Sequence, residues 1–122
     1  MIFGVGIDII EVERIRKAHQ RLGERFHKGV YTDRELEFCL RHEDPSERLA
    51  ARWAAKEAVL KALGTGYSRG VKWTEVEIID NELSRPTVKV YGKVAEFMGR
   101  MKAHISISHL REYATAVAVI EE

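Results

Sequence analysis

Cysteine is nearly absent from this chain. Cys39 stands alone, so no disulfide forms within it and no multi-cysteine metal centre is available. A single cysteine in an apolar context reads as a small core residue inside a helix. Long apolar runs are missing too. Nothing approaches the roughly 20 consecutive apolar residues of a membrane span, and no charged, apolar, small-residue leader opens the chain. The expectation is a soluble protein in a reducing compartment, the cytoplasm, with no membrane partner. Charge of one sign is also lacking: 20 Lys and Arg against 19 Asp and Glu give a formal net charge of +1. That balance speaks against coating nucleic acid through bulk charge. There are no linkers, low-complexity tracts or fixed-period repeats. The 122 residues, 45% apolar, therefore read as one domain, 1–122, large enough to bury a core.

What is present has α+β order. Ile2 to Ile10 is short and β-branched, and suits a buried strand. Gly4 and Gly6 weaken it and point to close approach of another backbone or a ligand. Glu11 to Leu22 has helical spacing through Val12, Ile15, Ala18 or His19, and Leu22. Thr32-Asp33-Arg34-Glu35 is a capping box that opens a helix through about Leu40. A long helix runs from about Ser46 to Leu63, and Gly64 sits where a C-terminal cap belongs. Val71–Trp73 and Val76–Ile79 read as extended segments, and Thr87–Tyr91 as a half-buried strand. A short helix follows, about Lys93 to Met101, with Val94, Phe97, Met98 and Met101 inward. His104–His109 alternates polar and apolar, and Tyr113–Ile120 returns beside it as an antiparallel hairpin. The picture is a mainly antiparallel sheet against one long central helix and shorter helices.

The long helix carries its charges in awkward places. At about 100° per residue, Leu49, Trp53, Leu60 and Leu63 form one stripe. Glu57 and Lys61 fall on the border of that stripe, and Lys56 lies near its middle. Charges on a purely structural helix belong opposite the core, because desolvating them is expensive. Glu57 and Lys61 have the favourable i,i+4 order for a helical ion pair, which does not explain their position. A substrate phosphate near the lysines would. Asp8, the acid set between Ile7 and Ile9, is a second carboxylate on a separate element. Two such acids plus a phosphate suit Mg²⁺, which takes hard oxygen ligands and keeps several waters. The turn Gly64-Thr65-Gly66 could present backbone N–H groups to a phosphate. It is not a P-loop, because the helix precedes the glycines and the G-x-x-x-x-G-K-[ST] spacing is missing. Along the hairpin, His104, Ser106 and Ser108 share one face, with His109 at the strand's end; adjacent strand residues diverge, so a Ser–His nucleophile is disfavoured. From Arg14 to Lys28 the basic residues Arg14, Arg16, Lys17, Arg21, Arg25 and Lys28 face Glu24 alone. This is either a solvated face or a docking patch for an acidic partner.

Three motifs occur together in this order: Gly6-Ile7-Asp8-Ile9-Ile10-Glu11-Val12-Glu13-Arg14-Ile15, the stretch Arg52-Trp53-Ala54-Ala55-Lys56-Glu57-Ala58-Val59-Leu60-Lys61-Ala62-Leu63-Gly64-Thr65-Gly66, and Ser106-Ile107-Ser108-His109. With them the sequence closely resembles the holo-[acyl-carrier-protein] synthases, the small bacterial type of 4′-phosphopantetheinyl transferase, over essentially its whole length. Trp53 stands where that family commonly has Phe, and Ser84-Arg85 precede Pro86 where a glycine is expected. The resemblance implies the 4′-phosphopantetheinyl transferase fold and transfer of the 4′-phosphopantetheine arm of coenzyme A to a serine of an acyl carrier protein. It also implies adenosine 3′,5′-bisphosphate as the other product, a place in fatty acid biosynthesis, and a homotrimer with active sites between subunits.

By motif position, the resemblance implies that Asp8 and Glu57 hold Mg²⁺ and that Lys61 contacts phosphate with Gly64 and Gly66 nearby. Ser106, Ser108 and His109 would line the nucleotide side. Glu57 and Lys61 are then the catalytic pair, with either Glu57 or a metal-bound water accepting the serine proton. Acyl carriers are typically acidic, so Arg14, Arg21 and Arg25 become docking residues, with Phe26 or Leu22 as an apolar anchor. Lys56 belongs to the motif but has no role in this reading. Two other readings compete: a non-catalytic docking module, and an unrelated Mg²⁺-dependent nucleotide hydrolase, which the missing P-loop disfavours.

Overall fold

One helix runs through the middle of the molecule with most of its circumference covered. In the computed structural model, which describes residues 1–122, this is α4, Ser46–Leu63. The other elements are β1 (Ile2–Glu11), α1 (Val12–Leu22), α2 (Glu24–Val30), α3 (Asp33–Cys39), β2 (Val76–Asp80), β3 (Pro86–Val90), α5 (Gly92–Met98), β4 (Lys102–His109) and β5 (Tyr113–Glu121). Leu49, Ala50, Ala51, Ala54, Ala55, Ala58, Val59, Leu60, Ala62 and Leu63 are all buried. The expected stripe on α4 therefore widens into an apolar surface almost all round, the mark of an interior helix. Its alanines are what permit this, since short side chains let neighbouring elements close in on every side.

β1, β5 and β4 form one antiparallel sheet in that order, and β2 with β3 forms a second, two-stranded one. β1 lies directly on α4. A Cβ on Gly4 would fall 2.0 Å from the Ala62 carbonyl oxygen, and one on Gly6 would fall 2.1 Å from that of Ala58. The two glycines thus serve close approach of a backbone, that of α4. Ala114, Ala116, Ala118 and Ile120 of β5 complete the layer against the helix. The expectation of a fully buried first strand is overturned. Its even-numbered residues face α4, while Val5, Ile7 and Ile9 point outward at 62%, 66% and 66% exposure.

Local signals set most boundaries. The Thr32 capping box closes as expected, with the Thr32 N–H donating to Glu35 Oε1 at 2.9 Å and the Glu35 N–H to Thr32 Oγ1 at 3.4 Å. Gly64, at φ +92°, ends α4. Gly23, at φ +51°, separates α1 from α2, and Leu22 faces outward instead of joining Val12 and Ile15 in the core. Trp73–Glu75 forms a 3₁₀ turn between the two segments expected to be extended, and takes Trp73 from the end of the first. α5 stops at Met98 before Gly99, so Met101 lies beyond the helix, and Phe97 is 37% exposed. Cys39 is buried among apolar residues, and burial pushes its thiol up to about 11. It is a core residue, as expected.

Candidate active site

Asp8 reaches α4 because strand alternation turns it inward between the outward Ile7 and Ile9. It lies within β1, not at its end, since the strand continues to Glu11. The Thr115 hydroxyl of β5 donates to its backbone carbonyl at 2.8 Å. Lys61 Nζ sits 2.9 Å from Asp8 Oδ1 and donates to the Ile7 carbonyl at 3.1 Å. The expected Glu57–Lys61 helical pair is replaced by this bridge to β1. Glu57, one turn earlier on α4, accepts a hydrogen bond from the Trp73 indole N–H at 3.2 Å. Burial raises its carboxyl above the ordinary range; the Trp73 bond opposes this, and the charge of Asp8 adds to it.

Two carboxylates from different elements therefore influence each other beside a lysine. Ile7, Asp8, Ile9, Lys61 and Thr115 line an open cavity of about 380 Å³ at this point. No cluster of three or more Asp, Glu, His or Cys is present. That donor set is wrong for a fully protein-ligated ion. It fits Mg²⁺, which binds through one or two carboxylates and completes its shell with water and substrate phosphate.

The glycine turn works differently from the expectation. The Gly64 N–H is shared between the Leu60 and Lys61 carbonyls at 3.1 Å each, and the Gly66 N–H donates to Leu60 at 3.1 Å. These donors close the helix end, so Gly64 and Gly66 form no N–H nest. A helix C-terminus is moreover the negative end of the macrodipole. Any attraction for phosphate here comes from Lys61.

His109 lies elsewhere. Its Nδ1 is 2.5 Å from Glu47 Oε1, at the other end of α4. Together with Arg48, Arg52, Asp80, Ser84 and Pro86 it lines a second cavity of about 260 Å³. Arg52 stacks over Phe38 at 4.3 Å and approaches Asp80 at 3.7 Å, and its buried Nε has no partner. An unpartnered donor beside a second arginine suits an anion. Arg48 lies outside the three motifs and Arg52 opens the second without a role there, although their i,i+4 spacing on α4 was a usable signal. Ser106 and Ser108 point out from the open face of β4, where they flank Ile7, Thr115 and Val117. Ser106 and Ser108 thus border Ile7 and Thr115, which also line the Asp8 cavity, whereas a single chain does not bring His109 to Asp8 and Glu57. Over the 14 residues from Glu47 to Lys61 the helical rise is about 21 Å.

The basic patch is narrower than its sequence. Arg14, Lys17, Arg21, Arg25 and Lys28 are exposed. Arg16 turns aside to pair with Glu13 at 2.6 Å and Asp44 at 3.1 Å. Phe26 is half-buried against Tyr31 and Trp53, with ring centroids 5.7 and 6.3 Å away, so it is no free anchor. Leu22, at 45% exposure, is the apolar side chain on offer.

Comparison with known proteins decides the class. The family model for the 4′-phosphopantetheinyl transferase superfamily matches residues 4–118. The chain belongs to that superfamily. A holo-[acyl-carrier-protein] synthase of Chlamydia trachomatis serovar D is 48% identical to this transferase over 120 residues, covering 98% of this chain and 100% of that one. The crystal structure of holo-[acyl-carrier-protein] synthase from Neisseria meningitidis superposes with a TM-score of 0.90 at 30% identity, covering each chain completely. That of the Bacillus anthracis enzyme, in complex with CoA (3′,5′-ADP), gives 0.84 at 33% identity over 100% of this chain and 98% of that one. The resemblance carried by the three motifs is borne out, and with it the α+β fold and the transferase class.

Proposed function

We propose that this transferase moves the 4′-phosphopantetheine arm of coenzyme A onto a serine of an acyl carrier protein, with adenosine 3′,5′-bisphosphate as the other product, and so serves fatty acid biosynthesis in the cytoplasm. The observation that supports this reading is the contact of Asp8 with Lys61 between β1 and α4, with Glu57 one helical turn away and within reach of the charges of both. Residues 1–122 act as one unit in it.

The serine oxygen bonds to the phosphorus that bears the arm, the bridging P–O bond of the pyrophosphate breaks, and the serine proton leaves. Such chemistry needs positioning and charge neutralisation more than covalent help. Mg²⁺, held by Asp8 and Glu57, would neutralise pyrophosphate charge. Lys61 is free to turn from Asp8 to the departing phosphate, because half of its side chain is exposed. Glu57 is the group that would take the serine proton. The Arg48, Arg52 and His109 cavity supplies the cationic lining that the phosphorylated nucleotide end requires, Ser106 and Ser108 contribute from the open face of β4 beside Ile7 and Thr115, and Gly64 and Gly66 only set the position of Lys61.

The separation of the two cavities along α4 supports an active site shared between subunits of a homotrimer. Val5, Ile7 and Ile9 on the open sheet face offer apolar surface for that assembly. Arg14, Arg21 and Arg25, with Leu22, form the docking face for an acidic carrier. Incubation with apo-carrier, coenzyme A and Mg²⁺ should add the arm to the carrier, read by intact mass. No adduct on several acidic carriers, with metal present, overturns the reading.

A further inference from the structure

Lys56 is a motif residue with no place in the transfer chemistry, and it is completely buried. Its Nζ lies 2.6 Å from Glu35 Oε1, itself inaccessible to solvent. It also donates to the Trp73 carbonyl at 3.1 Å and to the Val76 carbonyl. Three ammonium protons therefore have three acceptors, and the cation cannot approach a substrate. Glu35 is fixed in turn by the N–H groups of Thr32 and Ile78 at 2.9 and 2.7 Å.

What this network holds is the turn that carries Trp73. The Trp73 ring is packed flat on Tyr67, with centroids 3.8 Å apart and planes 6° apart, and it leans on Trp53 at 4.9 Å. Backbone and ring are thus both held, and the single indole donor aims at Glu57 Oε1. We propose that Trp73 is a positioning residue for Glu57, and that the buried Lys56–Glu35 pair is the anchor that keeps it in place. This rests on the reading of Asp8 and Glu57 as a metal–phosphate site.

The logic is that of outer-shell partners around metal ligands. An N–H on one carboxylate oxygen removes a rotational freedom and leaves the other oxygen, Oε2, for the ion; losing such a partner typically costs about 10- to 100-fold in metal affinity. A phenylalanine at this position would keep the packing with Tyr67 and Trp53 but would have no N–H to donate.

The test is Trp73→Phe, read without turnover: Mn²⁺ affinity by electron paramagnetic resonance, with saturating coenzyme A and no carrier present. The expected result is about tenfold weaker Mn²⁺ binding with an unchanged melting temperature. The difference should disappear when Trp73→Phe is made in a Glu57→Gln background. In ¹⁵N-tryptophan-labelled protein, Glu57→Gln should shift the Trp73 indole resonance and leave that of Trp53 in place. Unchanged Mn²⁺ affinity in Trp73→Phe overturns the positioning role alone. So does an equal loss in the Glu57→Gln background. Wild-type protein that binds no Mn²⁺ overturns the metal site together with the inference built on it.

Discussion

Replacing Lys56 with methionine keeps an unbranched side chain one atom shorter, and removes its charge and its donors. Glu35 would then be left with two backbone N–H groups and no counter-ion, inside a site that water does not reach. The Trp73 and Val76 carbonyls would lose their shared donor. Removing one member of a buried ion pair costs about 3–5 kcal/mol. Unfolding entropy of about 2.1 cal/mol/K per residue, over 122 residues, amounts to about 0.26 kcal/mol/K, so the melting temperature should fall by about 12–20 °C. Urea titration should show a lower midpoint with an unchanged slope. Adding Glu35→Gln removes the stranded charge, and the double variant should recover more than half of the loss. A fall of less than about 4 °C in the single variant would refute the reasoning, as would a double variant no more stable than the single one. The first result would mean the pair is neutral in context, the second that the damage is packing rather than charge.

Three further expectations concern separate parts of the molecule. Gly6→Ala places a Cβ 2.1 Å from the Ala58 oxygen and 2.6 Å from the Ala62 nitrogen; β1 must retreat by roughly 1 Å and take Asp8 with it, so transfer should fall about 100-fold, and steady-state kinetics near wild type would exclude this. Arg14→Glu with Arg21→Glu should raise the KM for an acidic carrier about tenfold and flatten its salt dependence; a change in the KM for coenzyme A instead would show the patch to be misassigned. Burial, followed by neighbouring His19, lowers the pKa of His27, with Glu24 opposing. Between the unfolded value of about 6.5 and this lower folded one, the unfolded chain binds more protons, so stability should drop as pH falls from about 7.5 to about 5.5. The slope, followed by melting temperature, should be smaller in His27→Gln.

Features that depend on neighbours in sequence were legible. The Thr32 capping box, the Gly64 cap, the β4–β5 hairpin and the span of α4 all announce themselves within a few residues. Close approach at Gly4 and Gly6 could be inferred because two glycines in a strand need a reason. What sat against them could not. Periodicity on α4 measured one stripe and missed that alanines let the other sides be covered as well. Asp8, Glu57 and Lys61 were legible as candidates, whereas the pairing of Lys61 with Asp8 over Glu57 depends on the register of β1 against α4. Lys56 stayed opaque because its explanation, Glu35, lies on another helix. The glycine turn misled for a local reason: its N–H groups look free in sequence, yet the carbonyls at the end of α4 claim them. Arg48 and Arg52 were given no role, since an i,i+4 pair of arginines reads as an ordinary solvated pair until β3 and the end of β4 close a cavity over it.

The pairing of β1 with β5 has a consequence for how the chain comes to be folded. Asp8 and its partner Thr115 are 107 residues apart, so at a synthesis rate of about 5–20 residues per second β1 waits about 5–20 s for its partner strand. Through that interval it is an unpaired edge bearing Val5, Ile7 and Ile9, the kind of segment that recruits other nascent chains. α4 is made well before β5, and Gly4 and Gly6 let β1 settle on its backbone early. The same two glycines that bring Asp8 to its site thus also shelter the strand before its sheet exists. Contacts this distant in sequence also slow folding.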